Sequence, residues 1–298
     1  MGEITGEMSI EQMVRRVRVD GWCVIDGVIP ADTVSTVRAG VLDAVDRYRH
    51  TRKNAPSHIG AVSTIINYEQ SFAPYLAEPR LLGLAEALLG PGVRISFTSS
   101  IVNYPGNERT KWHADWPFNQ HNAGHIPSPY PDMVAHLTTL WAISDFDAQS
   151  GGTLIVSGSH RSKDNPTSWY EPDGDEPEPV HPEVCVEMKA GSVAVLDSRM
   201  WHAGGANRGS EPRVGLAIRY APWWLNLQVL QLGSADRARM EAIDPRCSEN
   251  EVPLVRREVY DQLPEQVKPL YQHWLEEPAR RRTAAPSAAR GAARAAWS

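Results

Sequence analysis

Gly151-Gly152-Thr153-Leu154-Ile155-Val156-Ser157-Gly158-Ser159-His160 sets four strand-forming residues between two glycine turns. A run of Thr, Leu, Ile and Val that short, bounded by Gly and Ser, reads as a strand and not as a helix. The same texture extends on both sides. Val93 to Tyr104, His136 to Ile143, Val184 to Met188, Ser192 to Leu196 and Val214 to Tyr220 are further short β-type runs, punctuated by Gly, Pro, Asn and Asp. Many short strands in succession predict a sandwich or barrel.

Upstream of Val93 the pattern is helical. Ser9-Ile10-Glu11-Gln12 reads as a capping box that opens a helix to about Val19, stopped by Asp20-Gly21. Trp22 to Ile25 reads as a short strand. Asp32 to Tyr48 carries Val34, Val37, Val41 and Val45 at helical spacing, and Leu81 to Leu89 is a helix ended by Gly90-Pro91-Gly92. The expected fold class is therefore mainly β with flanking helices (α+β). We expect one domain over residues 1–279: a helical N-terminal part, a β core at about 93–222 and a helical C-terminal part. Glu171 to Pro182 is rich in Pro, Asp and Glu and reads as a solvated insertion. Residues 280–298 are rich in Ala and Arg and read as a disordered tail.

Composition bounds the function. The chain has 298 residues, 42% hydrophobic and 22% charged, with a formal net charge of -6 and a pI near 5.9. That balance argues against a nucleic-acid partner. The cysteines Cys23, Cys185 and Cys247 form no CxxC pair, which disfavours a thiolate zinc site or a disulfide framework. The N-terminus lacks the blocks of a signal peptide, and no apolar run reaches membrane-spanning length. The expectation is a cytoplasmic enzyme with a small-molecule substrate and no membrane partner; oligomeric state is not legible.

The chemistry centres on Lys111-Trp112-His113-Ala114-Asp115-Trp116 and on Arg199-Met200-Trp201-His202-Ala203-Gly204-Gly205. On a strand, residues two apart share a face, so His113 and Asp115 could reach one metal ion. With His202 they would make two imidazoles and one carboxylate, the ligand set of non-haem Fe(II) oxygenases, which leaves positions open for a chelating co-substrate and O2. Arg213 lies eleven residues after His202 and could bind a dicarboxylate through its guanidinium fork. Arg219, on the same strand face by parity, is its competitor.

Taken together, these pieces resemble the phytanoyl-CoA dioxygenase family of Fe(II)/2-oxoglutarate oxygenases. The resemblance rests on Asp20-Gly21-Trp22 to Ile25, His113-Ala114-Asp115, the Gly151 to His160 block, Trp201-His202-Ala203-Gly204 and Arg213, over roughly residues 10 to 220. It implies a double-stranded β-helix, a jelly-roll, cupin-like core with Fe(II) at its mouth, and 2-oxoglutarate and O2 as co-substrates. It implies that Arg213 holds the distal carboxylate of 2-oxoglutarate. By the same likeness Asn103 could bond the chelating end, and Trp141 lines the pocket or packs in the core. Ser99 and Thr139 are further candidates for that pocket. Some relatives carry a hydroxyl two residues after the distal histidine; here that position is Gly204, so another donor or water must serve. His160 closes a family motif but reads as a fold-stabilising hydrogen bonder, and His136 as a satisfied core residue.

The reaction expected is hydroxylation or desaturation of a small molecule, a tailoring step in natural-product biosynthesis, with release of succinate and CO2. Asp115 occupies the place that a halogenase leaves to halide. Asn119 to Asp132 reads as a pocket loop, with His121 beside the site. Trp116, Phe118, Trp223 and Trp224 could form an apolar wall, or core. The rival is a cupin-like metal protein that does not use 2-oxoglutarate; Arg213 separates the two, because a dicarboxylate anchor has no purpose in the rival.

Overall fold

The computed structural model describes residues 7–49, 59–117, 131–162, 165–166, 178–179, 181–243 and 252–276. Helix α1, Ile10–Asp20, opens on the expected capping box: Gln12 N donates to Ser9 Oγ at 3.2 Å and Ser9 N to Gln12 Oε1 at 2.8 Å. Such a cap stabilises a helix by about 1 kcal/mol. The helix buries Met13 and Val17 and ends at Gly21, whose φ of 89° favours glycine. A Cβ there would lie 2.1 Å from Met200 Sδ and 2.6 Å from His160 Nδ1, so the helix end is seated directly on the turn before His202.

Strand β1 is Trp22–Ile25. Helix α2, Ala31–Tyr48, buries Val34, Val37, Val41, Ala44 and Val45. After the two-residue strand β2, Ile59–Gly60, helix α3 runs over Pro79–Leu89; the Glu78 carboxylate accepts from Arg80 N and Leu81 N at its start. The β-rich part follows: β3 Arg94–Ser100, β4 Val102–Asn103, β5 Leu137–Ala142, β6 Thr153–Val156, β7 Glu183–Cys185, β8 Val193–Asp197, β9 His202–Gly204 and β10 Gly215–Ala221. Helices α4 Ala235–Ile243, α5 Arg257–Gln262 and α6 Lys268–Tyr271 come last. No helix among the described residues is long and apolar enough to cross a membrane.

The strands form a large antiparallel sheet, β1-β8-β5-β10-β3, a small antiparallel sheet, β7-β6-β9, and the β2-β4 pair. A bridge between His113 and His202 adds one more chain segment beside β9. This is the expected jelly-roll core. One cluster of buried side chains joins the helices to the large sheet, from Met13 to Trp274.

Strand alternation decides which side chains reach the interior between the sheets. Thr138 on β5 and Arg219 on β10 both bond Asp115, whereas Tyr220 Oη donates outward to Leu76 O. Thr138, Leu140 and Ala142, with Gly215, Ala217 and Arg219, therefore line the inner face. Leu137, Thr139 and Trp141, with Leu216, Ile218 and Tyr220, lie under the helices. Of the loops read from sequence, Glu171–Pro182 lies largely, and residues 280–298 wholly, outside the described residues. So does Cys247; Cys23 and Cys185 are free thiols.

Candidate metal centre

His113, Asp115 and His202 converge: one ligand atom from each lies within 4.8 Å of the others. The expected strand over Lys111–Trp116 is not what brings them together. Only His113 makes a bridge, exchanging backbone bonds with His202 at 3.0 and 2.9 Å. Beyond it the chain bends, and the N–H groups of both Asp115 and Trp116 donate to Ser198 O, at 2.8 and 3.0 Å. With that pair of hydrogen bonds the Asp115 carboxylate turns toward His202, leaving Oδ2 3.6 Å from His202 Nε2.

Both imidazoles are set up to present Nε2. His202 Nδ1–H donates to Met200 O at 3.0 Å and His113 Nδ1–H to Lys111 O at 3.2 Å, which fixes the tautomer and leaves each Nε2 lone pair for a cation. Burial pushes the His202 pKa down to about 4, helped by His113 and opposed by Asp115. Asp115 is fully buried, which by itself would raise its pKa; Arg219, the two histidines and Thr138 outweigh burial and hold it well below the usual carboxylate range. Two imidazoles that present Nε2 and one carboxylate kept ionised suit a divalent cation.

The Gly151–His160 block builds the scaffold for His202. Trp201 N donates to Ser159 Oγ at 2.9 Å, Gly158 N donates to Asp20 O at 2.8 Å, and His160 Nε2 bonds Arg18 O at 3.2 Å. His160 thus fastens α1 to this block, while its neighbour Ser159 holds the turn preceding β9. At Gly151, with φ at 78°, a Cβ would fall 2.6 Å from Asn103 Nδ2 and 2.7 Å from Gly205 O.

The two arginines of the β10 segment have different partners. Arg219 Nη2 donates to Asp115 Oδ1 at 2.6 Å, and its guanidinium lies over the Phe97 ring. Arg213 is buried at 5% exposure with its guanidinium 4.4 Å from the Phe146 ring centroid, and neither Nε nor Nη1 has a hydrogen-bond partner. Burial pulls its pKa down to about 10. A buried guanidinium short of acceptors is costly unless an anion completes it.

The remaining candidates divide. Ser99 is opposite Ala217 on the inner face, where its Oγ donates to Ser100 O at 3.0 Å. Trp116 stands beside His136, ring centroids 6.2 Å apart. Trp141 and Thr139 do not face the metal cluster: they sit on the helix side of β5, Trp141 Nε1 donating to Thr139 Oγ1 at 2.8 Å and Thr139 Oγ1 to Ile218 O at 2.7 Å. The core-packing alternative for Trp141 is the one realised. Asn103 is spent on the scaffold, with Nδ2 donating to Gly205 O at 2.9 Å and Oδ1 accepting from Asn107 Nδ2 at 2.9 Å. Trp223 is 65% exposed, beside Gly92. Phe118 and His121 lie outside the described residues.

Four polar residues around the cluster were not legible in the sequence. Thr110 Oγ1 accepts from Gly204 N at 2.7 Å, so a hydroxyl does stand beside the position where Gly204 lacks one. Thr138 Oγ1 donates to Asp115 Oδ2 at 2.7 Å. Ser198 Oγ lies 2.9 Å from Thr138 Oγ1 and 2.7 Å from His136 Nδ1, and His136 Nε2 lies 2.7 Å from Ser96 Oγ. Because Thr138 spends its proton on Asp115, Ser198 must donate to Thr138, His136 Nδ1–H to Ser198, and Ser96 to His136 Nε2. Every proton of the chain then points toward the carboxylate. His136 is satisfied, as expected, but it belongs to the metal site; burial first, and Arg219 second, push its pKa down to about 3.

A jelly roll with a His, Asp, His cluster, Asp115 and His202 of it buried, has the ligand set of non-haem metal oxygenases. The chain belongs to the phytanoyl-CoA dioxygenase (PhyH) family, whose family model matches residues 17–215. It is an oxygenase of the iron and 2-oxoglutarate type. It is 27% identical over 226 residues to the dioxygenase andF of Emericella variicolor, covering 72% of this chain and 75% of the relative. Its fold is similar to that of the epimerase SnoN, solved with Fe3+, alpha ketoglutarate and nogalamycin RO (TM-score 0.53, 22% identity, 72% of this chain and 83% of SnoN). It is also similar to EctD from S. alaskensis, solved with 2-oxoglutarate and 5-hydroxyectoine (TM-score 0.56, 19% identity, 74% and 79%).

Proposed function

We propose that this chain hydroxylates a small organic molecule, holding Fe(II) on His113, Asp115 and His202 and the distal carboxylate of 2-oxoglutarate on Arg213. The observation that carries the reading is Arg213. A buried guanidinium with two orphaned donors, on the same inner face as Arg219 but not joined to Asp115, suits a carboxylate brought by a ligand. A cupin-like metal protein without 2-oxoglutarate has no use for it.

When bound, iron and 2-oxoglutarate would supply the oxidising chemistry, with succinate and CO2 released. The chain supplies the rest. Arg213 fixes the far end of the co-substrate and so aims its keto acid at the metal cluster. Asp115 stays ionised and takes one metal position, which favours hydroxylation over halogenation. Leu140, Ala217 and Phe97 give the inner face an apolar part between its polar groups, which limits water at the site. The small-molecule assignment draws on SnoN and EctD, whose structures contain small organic compounds, and a tailoring role in natural-product biosynthesis is the form we favour. A panel of small molecules screened for stimulated succinate release tests the proposal. A compound that raises succinate and gains one oxygen atom supports it; a panel-wide lack of 2-oxoglutarate consumption and binding by the iron-loaded protein counts against it.

A further inference from the structure

We infer that Arg219 and Thr138 are positioning residues that hold Asp115 as a one-oxygen metal ligand, with Oδ2 toward the metal and Oδ1 turned onto the guanidinium. The inference rests on the proposed assignment of the metal to His113, Asp115 and His202. Oδ2 is the oxygen near His202 Nε2, at 3.6 Å, and it accepts from Thr138 Oγ1 at 2.7 Å. Oδ1 accepts from Arg219 Nη2 at 2.6 Å. A carboxylate oxygen has two lone-pair directions. Thr138 takes one of those on Oδ2 and Arg219 one on Oδ1 through a charge-assisted bond, and it is Oδ2, beside His202 Nε2, whose free direction faces the histidines.

The clamp itself cannot drift. Arg219 lies over Phe97 with its guanidinium carbon 4.4 Å from the ring centroid, on a central strand paired on both sides. Thr138 is backed by the donor chain Ser96, His136 and Ser198. A carboxylate held in this way cannot rotate to chelate through both oxygens, so a coordination position stays open for the co-substrate and O2.

Co(II), titrated into the metal-free full-length protein, is the probe, read by its dissociation constant and its visible d–d absorption. Arg219→Met keeps length and removes the fork; Thr138→Val keeps volume and removes the hydroxyl. Each should weaken Co(II) binding about 10- to 100-fold, the usual cost of losing a ligand's supporting partner, and change the absorption spectrum. Arg219→Lys should recover part of the affinity. Near-UV circular dichroism reports that the fold is kept. If Arg219→Met does not fold, Thr138→Val and Arg219→Lys decide on the same readouts. Folded variants with wild-type affinity and spectrum would overturn the inference. A wild-type protein that binds Co(II) no better than His202→Ala would instead overturn the metal assignment on which it rests.

Discussion

Arg219 Nη2 stands 2.6 Å from Asp115 Oδ1, while Arg213, six residues earlier in the chain, leaves Nε and Nη1 without a partner. In the proposed function these two arginines of one strand segment serve opposite ends of the site, Arg219 neutralised by Asp115 and Arg213 left to pair with the co-substrate carboxylate.

Their substitutions should separate accordingly. Arg213→Ala should raise the 2-oxoglutarate requirement and leave metal affinity near wild type. Losing a buried charge pair costs about 2–5 kcal/mol, roughly 30-fold to several thousand-fold in affinity. Arg219→Ala should reverse the pattern, with metal affinity falling first. Titrations of metal and of 2-oxoglutarate on both variants check this; the same profile from the two would refute the division.

His113→Ala and His202→Ala should each abolish metal binding and turnover with the fold kept, because the two residues come from separate segments joined by backbone bonds that alanine preserves. Bound iron after anaerobic loading and thermal melting give the readout. Near wild-type iron content in either variant would remove that residue from the ligand set.

Asp115→Gly should keep part of the iron affinity and lose most hydroxylation. It also leaves the Arg219 guanidinium buried beside an opened position, which should attract a small anion. Formate or chloride should therefore improve metal binding in Asp115→Gly, and not when Arg219→Met is added. At most traces of chlorinated product are expected, since outcome also depends on where the substrate C–H is held. Iron content and product mass with and without each anion decide the matter; full hydroxylation by Asp115→Gly would mean that Asp115 is not a necessary ligand.

Local chemistry made much of this readable. The Ser9 and Gln12 box, the valines of α2 and the glycine-bounded run of β6 each carry their signal within a few residues, and the structure places these elements within about two residues of the expected bounds. Long-range pairing was not readable. Asp115 and Arg219 are 104 residues apart, and nothing near either names the other. Parity decides where Thr139 and Trp141 lie: one residue along a strand exchanges the faces, and the bond from Thr138 to Asp115, which no local signal announces, shows which face looks inward. Asn103 sits where expected, but its amide is committed to a glycine turn that lies far away in the sequence. His202 was legible as a ligand candidate but not as a strand, because β9 has three residues.

Neutral histidines held in the interior contribute to the acid sensitivity of the metal-free protein. His202 is pushed down to about 4, and His136 and His273 to about 3, from an ordinary 6.5, chiefly by burial. The unfolded chain then binds more protons than the folded one, so stability is full above about pH 6.5 and falls as the pH drops toward those folded values. Each fully buried histidine contributes a slope approaching about 1.4 kcal/mol per pH unit. Urea midpoints measured stepwise from neutral pH down to about 5 should show the decline, and His136→Asn should flatten it even though the variant is less stable throughout. An unchanged slope would place the proton uptake elsewhere.

The most direct test of iron and 2-oxoglutarate sharing this site is optical. Fe(II) and 2-oxoglutarate added anaerobically to the metal-free protein should produce a weak visible charge-transfer band. The band should be absent in His202→Ala and should require far more 2-oxoglutarate in Arg213→Ala. No band in the wild-type protein at saturating Fe(II) and 2-oxoglutarate, or an equal band in His202→Ala, would contradict the assignment.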